Sequence, residues 1–365
     1  MRIVVTGGHL SPALAVISKL KGHDILFVGR KYAVEGDKAL SFEYQTITSL
    51  GIEFKPITTA RLQRKLTKYT FTSLLKFPAG LTQSASILKS FKPDVVLGFG
   101  GYISLPIIFA AYLLRIPVVI HEQTMEAGMA NKIASRFASK ICISWPSSFD
   151  YFPKEKTVLT GNPLREEITK VKGKAVKNKE FTLYVTGGSL GSHFINVLIE
   201  KNLKNILAKY FLVHQAGNSK HYDDYDRLSL LKNSLGKELS EKYELVKHFA
   251  PNEAAQALNN SDLVISRSGV NTVTELAYLE KPALLIPLPF AQRSEQLKNA
   301  LFLKDLGLAE VYHQQGLTAE SFKDALERMV ENIEKYKRSS EGNFTDHSAD
   351  KIIGVLEDVA LKKNT

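Results

Sequence analysis

RIVVTGGHLSPALAVISKL (Arg2–Leu20) has an echo later in the chain, TLYVTGGSLGSHFINVLIEKNL (Thr182–Leu203). Each opens on a β-branched, apolar run, breaks at Thr-Gly-Gly, and resumes with apolar residues at helical spacing. That reads as a strand, a glycine turn and a helix start. Further strand-like runs follow each copy: DILFVG, DVVLGFG and PVVIHE after the first, and YFLVHQAG, YELVKHF, DLVISRSG and PALLIPLP after the second. Helical-period segments separate them, among them Pro12–Lys21, Leu81–Ser90, Asn131–Ser139 and Asn271–Leu279. Strand alternating with helix predicts parallel sheets covered on both faces. The internal rhyme predicts two similar doubly wound α/β domains, which suits a chain of 365 residues.

The lysine-rich stretch Thr169–Glu180 lacks apolar periodicity and reads as a solvated linker. The tail from Lys351 to Lys363 has helical period and is expected to pack back on the first domain. Cys142 is the single cysteine, which leaves no intramolecular disulfide and no Cys-rich metal site. No apolar run is long enough to span a bilayer. Gly7, Gly8 and His9 interrupt any signal-peptide core at once. A soluble cytoplasmic protein is the expectation.

The formal net charge of +11 asks for an anionic partner: nucleic acid, phosphates or an acidic membrane surface. Between Glu53 and Asp94 there is no acidic residue. That interval carries Arg61, Arg64, Lys65, Lys68 and Lys76 beside Leu74, Phe77 and Leu81. Such a basic and apolar mixture suits an anionic bilayer surface; an ordinary amphipathic helix with a solvated face reads the same way. Pro78 is expected to kink or split that helix. No nucleic-acid-binding motif accompanies the charge.

Ligands of open parallel sheets bind beyond the carboxyl ends of the strands, so the residues after each strand are the candidates. Gly7 and Gly8 let backbone N–H groups approach an anion, and His9 is either a general base or a cap on the turn. Gly98, Gly100 and Gly101 form a second permissive loop, with Tyr102 and Ser104. His121, Glu122 and Gln123 follow the fourth run and Asn131 stands in the next helix. VTGGSLGS (Val185–Ser192) is the strongest anion loop, opening a helix at its end. It is neither GxGxxG nor a Walker A loop, and no acid closes the second strand of either half, which argues against a nicotinamide cofactor. Glu275 either favours a helix dipole or accepts two ribose hydroxyls. Gln292, Glu295, Gln296 and Asn299 follow the last strand, and amides there suit sugar hydroxyls. HExxH, paired metal-binding Asp and G-x-S-x-G are lacking, so neither metal catalysis nor serine hydrolysis is expected.

Taken in order and spacing, GGH with Pro12, PDVVLGFGGYISLP, PVVIHEQ with Gly128 and Asn131, TGNPLR, VTGGSLGS, HQAG, ISRSGVNTVTEL, KPALLIPLP and EQLKNA resemble the MurG family over nearly the whole chain. The chain differs from the family pattern at the shorter first glycine run and at Thr124, Leu190 and Glu295. The resemblance implies the GT-B arrangement of two Rossmann-like domains facing across a cleft: residues 1–163 for the acceptor and the membrane, 164–340 for UDP-GlcNAc, and a C-terminal helix in 341–365 packing back on the first. It implies an inverting transferase that moves GlcNAc from UDP-GlcNAc to undecaprenyl-diphospho-MurNAc-pentapeptide in peptidoglycan synthesis, and so serves cell shape and division. The expected place is the cytoplasmic side of the membrane, peripherally bound, with neither cofactor nor metal.

By the same resemblance His9 is the base, and Gly7, Gly8, Tyr102, His121, Thr124 and Asn131 lie on the acceptor side or in the cleft. Arg165 and Ser189 would meet the donor diphosphate, and Phe249 and Ala250 would flank the uracil. Val270, Asn271 and Thr272 would form the diphosphate-facing helix start. Glu275 would hold the ribose, and Gln296 with Asn299 the GlcNAc hydroxyls. A different glycolipid transferase, a nucleotide-sugar epimerase, or an inactive UDP-sugar-binding relative remain as alternatives on the same fold.

Overall fold

The computed structural model describes residues 1–32, 39–58, 76–176, 178–219, 221–290, 294–336 and 346–362. The chain forms two units, one of Met1–Arg165 with Asp346–Thr365, the other of Glu166–Thr345. In the first, β1 (Arg2–Thr6), β2 (Asp24–Gly29), β3 (Glu53–Pro56), β4 (Val95–Gly98), β5 (Val118–Glu122), β6 (Lys140–Ile143) and β7 (Thr157–Leu159) make one parallel sheet in the order β3-β2-β1-β4-β5-β6-β7. β1 pairs with both β2 and β4, Val4 lying opposite Leu26 and Val96. The strand order therefore reverses at β1/β4, the topological switch point.

Both faces of this sheet are buried, which is why its strands read as continuous apolar runs. Val4, Leu26, Val96, Ile120 and Ile141 pack on one side, against Leu88 of a helix at Lys76–Phe91 and Ile107 and Ile108 of a helix at Ser104–Leu113. Ile3, Val5, Phe27, Leu97, Val119 and Cys142 pack on the other, against Val16 of α1 (Leu10–Ile17) and against Ile352 and Leu356 of the terminal helix Ser348–Leu361. Fully burying one such side chain contributes about 1.5–3 kcal/mol, so the last helix is a core element of the first unit. Burial also pushes the Cys142 thiol up to about 12, leaving it inert at neutral pH.

In the second unit β8 (Thr182–Thr186), β9 (Phe211–Gln215), β10 (Tyr243–Val246), β11 (Leu263–Ser266), β12 (Ala283–Leu285) and β13 (Ala309–Val311) follow the order β10-β9-β8-β11-β12-β13. Its six strands repeat the arrangement of the first six of the first unit, with the reversal at β8/β11. Leu183, Val185, Leu212, Ile265 and Leu284 pack against Ile195 and Ile199 of the helix His193–Lys209 and Phe322 and Leu326 of the helix Ala319–Glu331.

The stretch Thr169–Glu180 is not a free linker. It begins in the helix Glu166–Val171, whose Ile168 is buried, and then lies along the helix Pro251–Asn260. The Val176 N–H and Asn178 Nδ2 donate to Asn260 at 3.1 and 2.8 Å, and Asn259 Nδ2 donates to the Val171 carbonyl at 2.8 Å. Amide hydrogen bonds, not apolar burial, hold it, so no hydrophobic pattern marks it. Pro78 stands in the first described turn of its helix, which runs unbroken to Phe91. Leu81 turns inward onto the core of the first unit. Arg61, Arg64, Lys65, Lys68 and Leu74 lie outside the described residues. Among the described residues no helix is long and apolar enough to cross a membrane.

Candidate functional site

At the switch point of the first sheet the loops after β1 and β4 touch backbone to backbone. Gly7 has φ +147°, and a Cβ there would lie 2.7 Å from the Phe99 backbone, so no other residue fits. The Gly8 N–H donates to the Gly100 carbonyl at 2.9 Å. His9 follows as the residue before α1, in an extended conformation, and its ring makes no capping hydrogen bond. The turn-cap alternative therefore fails. His9 Nδ1 instead lies 2.9 Å from the side-chain amide of Gln123. Burial lowers the His9 pKa below the usual histidine value, and the nearby Glu122 carboxylate opposes that. Tyr102 is half-buried beside the loop, with the Arg30 guanidinium 5.4 Å from its ring centre.

The residues after β5 brace this loop. His121 is 1% exposed and packs against Phe99 with the two rings tilted by 56°. Its Nε2 faces the Gly161 carbonyl at 3.3 Å, and burial pushes its pKa down to about 4. It is a neutral strut rather than a contact open to an acceptor. Glu122 Oε1 accepts from the Thr124 N–H and hydroxyl at 3.0 and 2.6 Å, and Oε2 from the Gly128 N–H and Asn131 Nδ2 at 2.9 and 3.0 Å. The Thr124 hydroxyl also lies 2.6 Å from the Glu126 carbonyl, and Asn131 is 3% exposed. Thr124 and Asn131 are thus committed to a carboxylate clamp that shapes the turn. Their place beside the buried Glu122 carboxylate, invisible in the motif, gives them this work.

The second switch point opens into a cavity of about 720 Å³. The glycine loop, Arg267, Thr272, Leu288, Phe290 and Gln296 are among its lining. Two helices begin beside it, at Ser192/His193 and at Gly269/Val270, and neither has a side-chain cap. Their first N–H groups and positive dipole ends favour an anion. Arg267 is held by the Ile286 and Pro287 carbonyls at 2.9 and 3.3 Å and by Gln314 Oε1 at 2.8 Å. Burial pulls its pKa down to about 10, still cationic at neutral pH. Gly191, at φ +80°, packs on Ala216 and Gly217, where a Cβ would strike the Ala216 carbonyl. Gln215 ties the loop together, its Nε2 donating to Thr186 Oγ1 and the Gly188 carbonyl and its Oε1 accepting from the Phe249 N–H.

Not every expected donor residue reaches this cavity. Thr272 and Gln296 line it; Ser189 is exposed on the loop itself, and Asn271 is half-buried at the helix start. Val270 and Glu275 are 6% and 8% exposed in the same helix. Asn299 is wholly buried and donates to the Ser268 carbonyl at 3.1 Å. Phe249 lines a second cavity with Thr182, Val213 and Glu253, and the Ala250 N–H donates to Glu253 Oε2 at 2.8 Å. Arg165 is half-buried at the end of the first unit.

The motif reading passed over Arg267, His193, Tyr222 and the network beneath the loop. There His214 Nε2 meets Asn196 Oδ1 at 3.0 Å, Asn196 Nδ2 donates to Asp224 at 2.9 Å, and Asp224 also meets His193 and Arg227. Burial pushes His214 down to about 3, against the pull of Asp224. Asn196, a polar residue inside an apolar helical stripe, was the one signal for it.

Residues 3–143 match the glycosyltransferase family 28 N-terminal domain, and residues 182–353 match its C-terminal domain. A "UDP-N-acetylglucosamine--N-acetylmuramyl-(pentapeptide) pyrophosphoryl-undecaprenol N-acetylglucosamine transferase" of Clostridium tetani is 33% identical over 377 aligned residues, covering 100% of this chain and 99% of its own. A Clostridium botulinum protein of the same name is 32% identical, with 98% of each chain covered. The crystal structure of Acinetobacter baumannii MurG superposes with a TM-score of 0.71 at 26% identity, covering 98% and 99% of the two chains. The UDP-GlcNAc 2-epimerase of Neisseria meningitidis, at 14% identity and a TM-score of 0.66, shares the fold alone.

Proposed function

Because this chain belongs to the MurG family of N-acetylglucosaminyltransferases, with both family 28 domains in the GT-B fold, we propose which of its residues perform the transfer. The enzyme moves GlcNAc from UDP-GlcNAc to undecaprenyl-diphospho-MurNAc-pentapeptide, a step of peptidoglycan synthesis.

In the proposed mechanism the acceptor hydroxyl gives its proton to His9 as its oxygen bonds to the anomeric carbon. The bond from that carbon to the diphosphate breaks, and UDP leaves with the electron pair. Charge develops on the diphosphate. The uncapped helix starts at Ser192/His193 and Gly269/Val270, with Asn271, Thr272, Ser189, Arg165 and the newly found Arg267, stabilise it. Glu275 accepts the ribose hydroxyls, Gln296 meets the sugar while the wholly buried Asn299 braces the Ser268 turn beside it, and Phe249 and Ala250 flank the uracil. Gly7, Gly8 and Tyr102 form the acceptor side, held in shape by His121, Thr124 and Asn131.

The observation that carries this reading is the cavity of the second unit, where two uncapped helix starts and one half-buried arginine converge. The test is transfer of labelled GlcNAc to the muramyl-pentapeptide lipid. Loss of turnover in His9→Ala and of donor binding in Glu275→Ala is expected; normal transfer by either would sink that residue's role. We further propose that the acid-free basic stretch before Asp94 docks on the anionic cytoplasmic face of the membrane, the acceptor being lipid-anchored. Sedimentation with vesicles containing anionic lipid, lost at high salt, is the expected result.

A further inference from the structure

The Gln123 amide meets His9 Nδ1 at 2.9 Å, and which end of the amide faces the ring decides what the ring can do. If an amide N–H donates to Nδ1, the neutral ring keeps its hydrogen on Nε2 and has no lone pair left for a proton. If Oε1 faces the ring, Nδ1 carries the hydrogen and Nε2 is the base. The two ends of a glutamine are nearly equal in shape, so a half-turn exchanges them.

The contact itself, taken with the base reading, selects Oε1. Nδ1 is the ring nitrogen turned to Gln123, so only Nε2 is left to meet a substrate. A base at Nε2 needs the hydrogen on Nδ1 and an acceptor facing it. The residue is also fixed where it stands: it is 6% exposed, and the Trp145 indole N–H donates to its backbone carbonyl at 2.8 Å. The charged neighbour does not replace it, because the Glu122 oxygens are taken by Thr124, Gly128 and Asn131. His121, the other titratable neighbour, is neutral and turned to Gly161.

We infer that Gln123 is the positioning residue that sets the His9 tautomer, accepting Nδ1–H on Oε1 so that Nε2 presents its lone pair to the acceptor hydroxyl. This rests on His9 being the base. As the sugar–oxygen bond forms, the hydroxyl proton passes to Nε2, the anomeric carbon–diphosphate bond breaks, and UDP carries off the electron pair. The Nδ1–H stays on Oε1, which steadies the imidazolium.

The test uses the full chain labelled with 15N-histidine and long-range proton–nitrogen correlation. His9 signals are identified by their loss in His9→Asn. The wild type is expected to carry its hydrogen on Nδ1. Gln123→Leu is expected to move it to Nε2 and to lower kcat by about 100-fold, the low end of general-base effects, with the KM for UDP-GlcNAc unchanged. Gln123→Glu keeps an oxygen on Nδ1. It should restore kcat to within about tenfold of wild type and move the acid limb of the pH profile upward, since a carboxylate favours imidazolium. Hydrogen on Nε2 in the wild type, or Gln123→Leu with wild-type tautomer and kcat, overturns the inference. If Gln123→Leu does not fold, the wild-type spectrum and Gln123→Glu decide it. Normal transfer by His9→Ala overturns the base reading itself; lost transfer there with an unaffected Gln123→Leu overturns only the role of Gln123.

Discussion

The two switch points share a strand order and a Thr-Gly-Gly start, yet they offer different chemistry. In the first unit only Gly7–His9 separate β1 from its helix, so the residue before the helix is a histidine lying against Gln123. In the second, Gly187–Ser192 intervene, and the longer loop folds on Ala216 and Gly217 beside two uncapped helix starts. A short turn delivers one side chain; a long one delivers backbone donors. On the proposed reading, the duplicated scaffold separates proton transfer from anion binding through the length of this loop.

The sharpest way to break that division is to remove its unique side chain. His9→Ala should lower kcat by about 10²–10⁴-fold while calorimetry shows UDP binding unaltered; weakened UDP binding would show that the first loop also serves the donor. Next in size is the packing of the second loop. Gly191→Ala puts a Cβ against the Ala216 carbonyl at a positive φ and should cost about 1–3 kcal/mol, read as a lower melting temperature with weaker UDP binding. An unchanged melting temperature would mean that the loop yields freely.

Acid sharpens the comparison from both sides, since each unit buries one neutral histidine. An unfolded histidine takes up a proton near pH 6.5, whereas folded His121 waits until about pH 4 and His214 until about pH 3. Below pH 6.5 the unfolded chain therefore binds more protons. The stability present above that pH is lost as the pH falls toward the folded values, by about 1.4 kcal/mol per unit for each ring. Denaturant titrations at pH 7.0 and 5.5 should show it, and a stable His121→Asn variant should lose only the His121 share, keeping those of His9 and His214. The smallest effect is expected of Ser189→Ala: its side chain is exposed, so donor affinity should fall by less than about tenfold, or 1.4 kcal/mol. A larger loss would mean that its hydroxyl, not only the loop backbone, grips the diphosphate.

The central strands were legible because burial on both faces makes them continuous apolar runs closed by glycine or histidine. Glu53–Pro56, Lys140–Ile143, Thr157–Leu159 and Ala309–Val311 were not. They have four residues or fewer, and all four stand at or next to a sheet edge where polar residues interrupt them. His9 and the glycine loops could be read because punctuation of that kind is local. Arg267 could not, since its partners are carbonyls at Ile286 and Pro287 that only the fold brings near. The Asn196–His214–Asp224 network hides for the same reason: each residue alone resembles a misplaced polar side chain.

The helix Ser348–Leu361 closes the first unit, although the whole of the second is synthesised before it. Ile352 and Leu356 reach the face of Val5 and Leu97 only after the second unit has been made. The first-made sheet must therefore leave the ribosome with that face only partly covered, by α1 and its neighbours, while the later-made unit has all its core residues in one uninterrupted stretch. The order of completion is the reverse of the order of translation.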